Sequence, residues 1–272
     1  MTKIVVAVKY VPDATADRTF SADNTVDRVG VDGLLSELDE YAVEQALQIV
    51  EAGDGDVTVL TVGPEQASDA VRKALQMGAD AGVHVQDDAI HGSDAFATSL
   101  VLAEAIKKLD YDLVVFGMAS TDAGMGVVPT LVAERLGLPA VTYANEITVD
   151  GDTVKIVRDG DVATQEIEAT GKLVLSVTDQ TGEARYPSFK GIMAAKKKDV
   201  QEWTLADLGI DAAAVGGDNA WTKVDSFTPR PPRTAGEIVT DEGDGGVKLR
   251  RVPRLQEVRL RRLDLKGNVP HV

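Results

Sequence analysis

The stretch that decides the fold is DLVVFGMASTDAGMGVVPTLVAERLG, Asp112–Gly137. Its first residues form a short apolar β-branched run, the mark of a strand buried on both faces. Its last residues have helical spacing and a terminal glycine. Between them lies a glycine-rich turn. A strand, a turn and a helix start in that order form one half of a parallel β-α-β unit. The turn has no GK[ST] ending, so it is not a phosphate loop of the Walker type. Gly124-x-Gly126-x-x-Pro129 places proline where a dinucleotide fingerprint needs its third glycine. What remains is a run of backbone amides at the positive end of a helix, with Ser120, Thr121 and Asp122 beside them. Such a loop either holds an anion or is a plain tight turn. It carries no lysine and no base, so an anion there is held and not activated.

The same grammar repeats on the N-terminal side. KIVVAV (Lys3–Val8) reads as a buried strand, followed by a polar loop over Asp13–Asp32. LDEYAVEQALQIVEAG reads as a helix stopped near Gly53, and DVTVLTVG (Asp56–Gly63) as a second strand. A helix from Pro64 to Gly78, the strand AGVHVQ and a helix opened by Ser93 or Asp94 follow. Strands and helices in alternation predict an α/β fold with a doubly wound, mostly parallel sheet. Ligands in such sheets lie beyond the carboxyl ends of the strands. That places Tyr10–Asp13, Gly63–Glu65 and Gly117–Gly126 at the candidate site. The pattern then changes. Residues 140–170 alternate in short runs, with Asp150–Gly151 and Asp159–Gly160 as hairpin turns. KLVLSV (Lys172–Val177) returns to the sheet, and FKGIMAAKKKDV closes the compact part. The expected organisation is an α/β nucleotide-binding domain over 1–215 and an extended arm over 216–272.

Composition narrows the function. The chain has 272 residues, no cysteine, and 44 acidic against 28 basic residues, a net charge of -16. Nucleic-acid binding is disfavoured, since it needs a basic footprint. Disulfides, thiolate metal sites and thiol catalysis are excluded. The acids are spread along the chain, as on the surface of a halophilic protein in a salty cytoplasm. No apolar run approaches a membrane span, so cytoplasmic location without membrane insertion is expected. His84, His91 and His271 are scattered, and no G-x-S-x-G elbow occurs. No acid–base, nucleophilic or metal constellation is present, and no enzyme activity is expected. AAKKKDV (Ala194–Val200) concentrates lysines in an acidic chain. It is either a helix end neutralising its dipole or a docking patch for an acidic partner. Six arginines and two lysines gather within Lys248–Lys266, folding back on the acidic body or wrapping a partner.

Several ordered segments together resemble the beta subunit of electron transfer flavoproteins. They are VAVKYVPD, DEYAVEQAL, VTVLTVGP, KALQMGAD, Phe116–Thr130 with AERLGLP after it, YPSFKGIMAAKKKDV, and PPRTAG (Pro231–Gly236). The resemblance runs to about residue 240. It implies an adenine nucleotide alpha hydrolase-like α/β domain that pairs with an alpha subunit, which holds most of the FAD. It implies a structural AMP in this subunit. It also implies electrons accepted from dehydrogenases, such as the acyl-CoA dehydrogenases of fatty acid oxidation, and passed to a quinone oxidoreductase. By position, the AMP contacts fall at Ala7, Ser36, Glu37, Leu38, Asp39, Val62, and along Gly117, Met118, Ala119, Ser120, Thr121, Asp122, Ala123, Gly124, Met125, Gly126 and Val127. The docking residue falls at Phe189, in a partner-recognition segment over 183–200, flanked by Lys196 and Lys197. The chain departs from the common family pattern at Ser36-Glu37 and in a glycine loop one residue shorter. Relatives that bifurcate electrons hold a second FAD in this cleft. The alternatives outside the resemblance are a nucleotide-binding regulatory protein of the same fold and an adenylating ligase. The latter wants a Ser/Gly pyrophosphate loop where this chain has KYVPD.

Overall fold

A computed structural model describes residues 2–232 and 243–246. The chain divides into two units, one ending at Phe227 and one beginning at Thr228. The basic stretch Lys248–Lys266, His271 and most of PPRTAG lie outside the described residues.

The first unit is built on a seven-stranded sheet. Its strands are β1 (Thr2–Ala7), β4 (Gly55–Val62), β5 (Ala81–Val85), β6 (Leu113–Gly117), β7 (Ala140–Ala144), β11 (Leu173–Val177) and β12 (Val200–Trp203). The order is β12-β5-β4-β1-β6-β11-β7, and every pairing is parallel. The expected α/β class and parallel sheet are therefore what the chain forms.

Alternation along β1 shows why both faces carry helices. Ile4 and Val6, with Val8 just past the strand, enter one core, with Ala42, Val43, Ala46 and Leu47 of α1 (Glu37–Ala52) and Val71, Ala74 and Leu75 of α2 (Ser68–Met77). Val5 and Ala7 enter the opposite core, with Val101, Leu102 and Ile106 of α3 (Ala95–Lys107) and Val132 and Ala133 of α4 (Val128–Leu136). Successive side chains of a strand point to opposite faces, so a central strand needs apolar residues at every position. Full burial of each Val, Ile or Leu among them contributes roughly 1.5–3 kcal/mol. α4 is tied to α3 by Arg135, whose Nε donates to the buried Ser99 Oγ at 2.8 Å.

Three features differ from the expectations. The loop over Asp13–Asp32 is flanked by a small antiparallel pair, β2 (Tyr10–Pro12) and β3 (Gly33–Leu35), which brings its ends together. The hairpin region forms its own three-stranded sheet, β8 (Glu146–Asp150), β9 (Thr153–Asp159) and β10 (Thr164–Thr170). Its first turn is Gly151-Asp152, with Gly151 in the left-handed region at φ 62, instead of the expected Asp150-Gly151. Finally, the lysine-rich segment does not close the compact part. After the short α5 (Phe189–Ala195), β12 extends the sheet beside β5, and α6 (Leu205–Leu208) caps it.

Residues 216–227 continue as a strap against this unit. Asp94 accepts from the backbone amides of Trp221 at 2.9 Å and Thr222 at 3.0 Å. Its other oxygen caps α3 through the Ala97 amide. Phe227 stacks on Phe20, with ring centroids 4.3 Å apart.

Candidate functional site

The chain runs from β1 to β4 and β5 on one side, then returns to place β6 on the other side of β1. The strand order thus reverses between β1 and β6. Their following loops diverge there and leave a crevice at the carboxyl ends. Ala7 ends β1, Gly117 ends β6, and Val62 ends β4 on the other flank of β1. Ser36 and Asp39, at the start of α1, are buried in this crevice, with Leu38 half-buried and Glu37 exposed.

The unexpected centre of the site is Lys9, two residues past β1. Its carbonyl accepts from the Ser36 amide at 2.9 Å, and its amide donates to Asp39 Oδ2 at 2.8 Å. Its Nζ donates to Asp122 Oδ1 at 2.9 Å and to Ser120 Oγ at 3.4 Å. One residue therefore joins the start of α1 to the glycine loop. Arg28 pairs with the other Asp122 oxygen, and Arg18 donates to the carbonyls of Thr121 and Asp122. The glycine loop carries no cation of its own, yet three cations reach it from residues 9–28. The sequence reading missed them because the contacts span about a hundred residues. The available signal was a lysine directly after a buried strand at a switch point.

The Asp122 side chain is 0% exposed. Burial works against its charge, but Lys9 and Arg28 together hold its carboxyl below the usual carboxylate range. Burial pulls Lys9 below the usual lysine range, against the Asp122 charge that holds it up. Asp39 goes the other way. Burial pushes it up to about 7, against the Lys9 and Gly117 amides and the Lys9 charge, and Asp122 adds repulsion.

Space is tight where the loop leaves β6. A Cβ on Gly117 would stand 2.5 Å from Asp39 Oδ1 and 2.6 Å from the Leu38 carbonyl. Gly124 and Gly126 both lie in the left-handed region at φ 66, where glycine is favoured. The Tyr143 hydroxyl donates to the Gly126 carbonyl at 3.2 Å, fixing the far end of the loop. Tyr143 itself has φ 62, a conformation uncommon for a tyrosine. Met118, Ala119, Ser120 and Thr121 are half-buried, while Ala123, Gly124 and Met125 are exposed. Val127 is the N-cap of α4 and gives no side-chain cap, so the first-turn amides keep no side-chain acceptor there.

Two hydroxyls bear on what the crevice fits. Ser36 Oγ and Thr121 Oγ1 are buried with no hydrogen-bond partner. An unpaired buried hydroxyl is costly, so it asks for a ligand group. Both belong to the segments expected to hold a nucleotide. Among the described residues, no group of three or more His, Cys, Asp or Glu is arranged to hold a metal ion. His84 is buried with Nε2 3.1 Å from the Gly63 carbonyl, and His91 pairs with Asp23 at 2.7 Å.

The expected docking residues lie elsewhere, on α5. Phe189 is 80% exposed and Tyr186 91% exposed, with Ile192 and Met193 also exposed. The helix is held from below. A Cβ on Gly191 would strike the Gln76 carbonyl of α2. Lys198 Nζ donates to the carbonyls of Leu75, Gly78 and Ala79 at 3.2, 3.0 and 2.5 Å, at the negative end of α2. Arg185 pins the preceding turn to Glu44 and Glu51 of α1 at 2.7 and 2.5 Å. The three lysines therefore divide. Lys198 ends a helix, while Lys196 and Lys197 are exposed.

The fold and crevice define a doubly wound α/β protein with a charged cleft at its switch point. A model of the electron transfer flavoprotein domain matches residues 23–208. The chain is 49% identical over 253 residues to the electron transfer flavoprotein subunit beta of Mycobacterium leprae, covering 90% of this chain and 95% of that one. It is 36% identical over 236 residues to the subunit beta of Clostridium acetobutylicum, covering 87% and 91%. It is 33% identical over 250 residues to that of Megasphaera elsdenii, covering 89% and 93%. The chain belongs to the electron transfer flavoprotein family, in its beta-subunit branch. That membership gives it a part in flavin-based electron transfer and implies an alpha partner. Among the described residues, no helix is long and apolar enough to cross a membrane.

Proposed function

We propose that this chain is the non-catalytic half of a heterodimeric electron carrier, holding a structural AMP and docking redox partners. The observation that carries the nucleotide reading is the pair of buried, unpartnered hydroxyls, Ser36 Oγ and Thr121 Oγ1, at the switch-point crevice. Ser36 and Asp39 would hold the nucleotide from α1, with Ala7 and Val62 at its base. The loop Gly117–Val127 and the uncapped start of α4 would receive the phosphate through backbone amides. The bound FAD, shared with and mostly held by the alpha subunit, supplies the redox chemistry. This chain supplies position. Its acid–base groups at the crevice are engaged in ion pairs and backbone hydrogen bonds, so the nucleotide is retained and not turned over.

On α5, Phe189 is proposed to anchor dehydrogenases such as acyl-CoA dehydrogenases, with Lys196 and Lys197 steering an acidic partner surface. Delivery is to a quinone oxidoreductase, within the cytoplasm. The nucleotide-binding body would end near residue 215, with residues 216–227 as a strap before the arm.

The test is to purify the chain with its alpha partner, denature the complex and identify the released nucleotides. AMP with a single FAD supports the proposal. Two FAD without AMP replaces it with an electron-bifurcating relative. ATP alone, with no flavin partner, replaces it with a nucleotide-binding regulatory protein.

A further inference from the structure

The crevice carries more cations than its loop sequence announces, yet none of them is uncommitted. Lys9 Nζ is engaged by Asp122 and Ser120. Arg28 is engaged by Asp122 and by the Tyr10 carbonyl at 3.3 Å. Arg18 spends both terminal nitrogens on loop carbonyls. The anion that claims Lys9 and Arg28 is part of the chain and is fully enclosed.

We propose that Asp122 is the specificity-determining residue of the cleft. Its carboxylate serves Lys9 and Arg28 as a built-in counter-anion, and so restricts the site to nucleotides bearing few phosphate charges. This inference rests on the proposed nucleotide site.

The physical argument concerns competition for positive charge. A phosphate monoester brings between one and two negative charges at neutral pH, and each further phosphoryl group adds more. In a phosphate loop of the Walker type, a free lysine meets the β- and γ-phosphates. Here an incoming phosphate finds loop amides and the hydroxyls of Ser36 and Thr121, while the three cations that reach the loop among the described residues, Lys9, Arg18 and Arg28, are already engaged. Taking Lys9 or Arg28 away from Asp122 would leave the enclosed carboxylate with only one of its two cationic partners, which costs more than a surface ion pair returns. Asp39 adds a second carboxyl group beside Lys9. AMP, or the pyrophosphate of one dinucleotide, is tolerable against that background. A nucleoside triphosphate is repelled.

The test uses the full chain in complex with its alpha partner. Nucleotide is stripped by reversible partial unfolding, the complex is re-formed in an equimolar mixture of AMP and ATP, and the retained nucleotides are separated and quantified. The wild-type complex is expected to retain AMP far above ATP. Asp122→Asn should lower the AMP-to-ATP ratio by about tenfold or more, since two cations are released toward the phosphates. Arg28→Gln should raise the ratio, because one cation is lost while Asp122 stays. It also serves if Asp122→Asn fails to fold. A folded Asp122→Asn complex with an unchanged ratio overturns the inference, as does an unchanged ratio in Arg28→Gln. Equal retention of AMP and ATP by the wild type overturns the inference alone. Retention of neither overturns the nucleotide site and the inference with it.

Discussion

At the scale of single residues, the crevice is a place where polar groups are left waiting. Ser36 Oγ is buried without a partner. Ser36→Ala should therefore stabilise the nucleotide-stripped protein by about 1 kcal/mol, by removing an unsatisfied hydroxyl. The same change should weaken nucleotide retention by about 1 kcal/mol, since the proposed nucleotide loses a hydrogen-bond partner. Thermal unfolding of stripped and loaded protein reads both signs. Equal destabilisation of the two forms would assign the hydroxyl to some other partner. Asp39 gives a second expectation. Its folded-state value of about 7 lies above its ordinary value of 3.8. The folded protein thus holds a proton there that the unfolded chain has lost, so stability falls as pH rises from about 4 to about 7. The size is on the order of 1–4 kcal/mol. Urea unfolding across that range should show the slope in the wild type and a smaller one in Asp39→Asn.

At the scale of elements, α5 is a short helix whose position depends on two close approaches to α2. Gly191→Ala puts a methyl group against the Gln76 carbonyl, and backbone cannot give way cheaply. The expected cost is about 1–3 kcal/mol, as for other overpacked sites. Phe189→Ala, at an exposed position on the same helix, should leave stability within about 0.5 kcal/mol while, on the proposed docking role, slowing electron uptake from the proposed dehydrogenase partner. Denaturant midpoints and stopped-flow reduction separate the two. A Phe189→Ala protein with normal uptake would remove Phe189 from the docking role. The central strands were readable from sequence to within a residue: KIVVAV falls on Thr2–Ala7 and KLVLSV on Leu173–Val177. Their readability comes from burial on both faces, which forces unbroken apolar runs. VQEW was not readable as β12. It is an edge strand with three exposed residues and one half-buried one, so no apolar run marks it.

At the scale of the whole molecule, the net charge of -16 is the dominant fact. Such a charge opposes the compact state through self-repulsion, which salt screens. Raising KCl from about 0.1 to about 1 M shortens the screening length from about 10 to about 3 Å. The urea midpoint is expected to rise with salt over that range. A flat response would mean that local pairing already balances the acidic surface. The candidate site was half-legible at this scale. The alternation of strands and helices named Gly117–Gly126 at a strand's carboxyl end, and the family resemblance named Ser36–Asp39 and extended the loop to Val127. Lys9, Arg18 and Arg28 could not be named, because nothing local ties residues 9–28 to Asp122, about 94 positions or more away. Only closure of the sheet brings them together.

The place of β11 in that sheet has a consequence for how the chain assembles. β11 lies between β6 and β7, although it follows both in sequence and is separated from β7 by the whole β8–β10 hairpin region. During synthesis, β6 therefore keeps one edge unpaired, and β7 has no neighbour to join, until Leu173–Val177 has left the ribosome. Over that interval an apolar strand edge is open to pairing with other chains. The long-range insertion of β11 is thus the natural slow step of folding. The β8–β10 sheet, whose contacts are local, is free to form first and carry the returning strand to its slot.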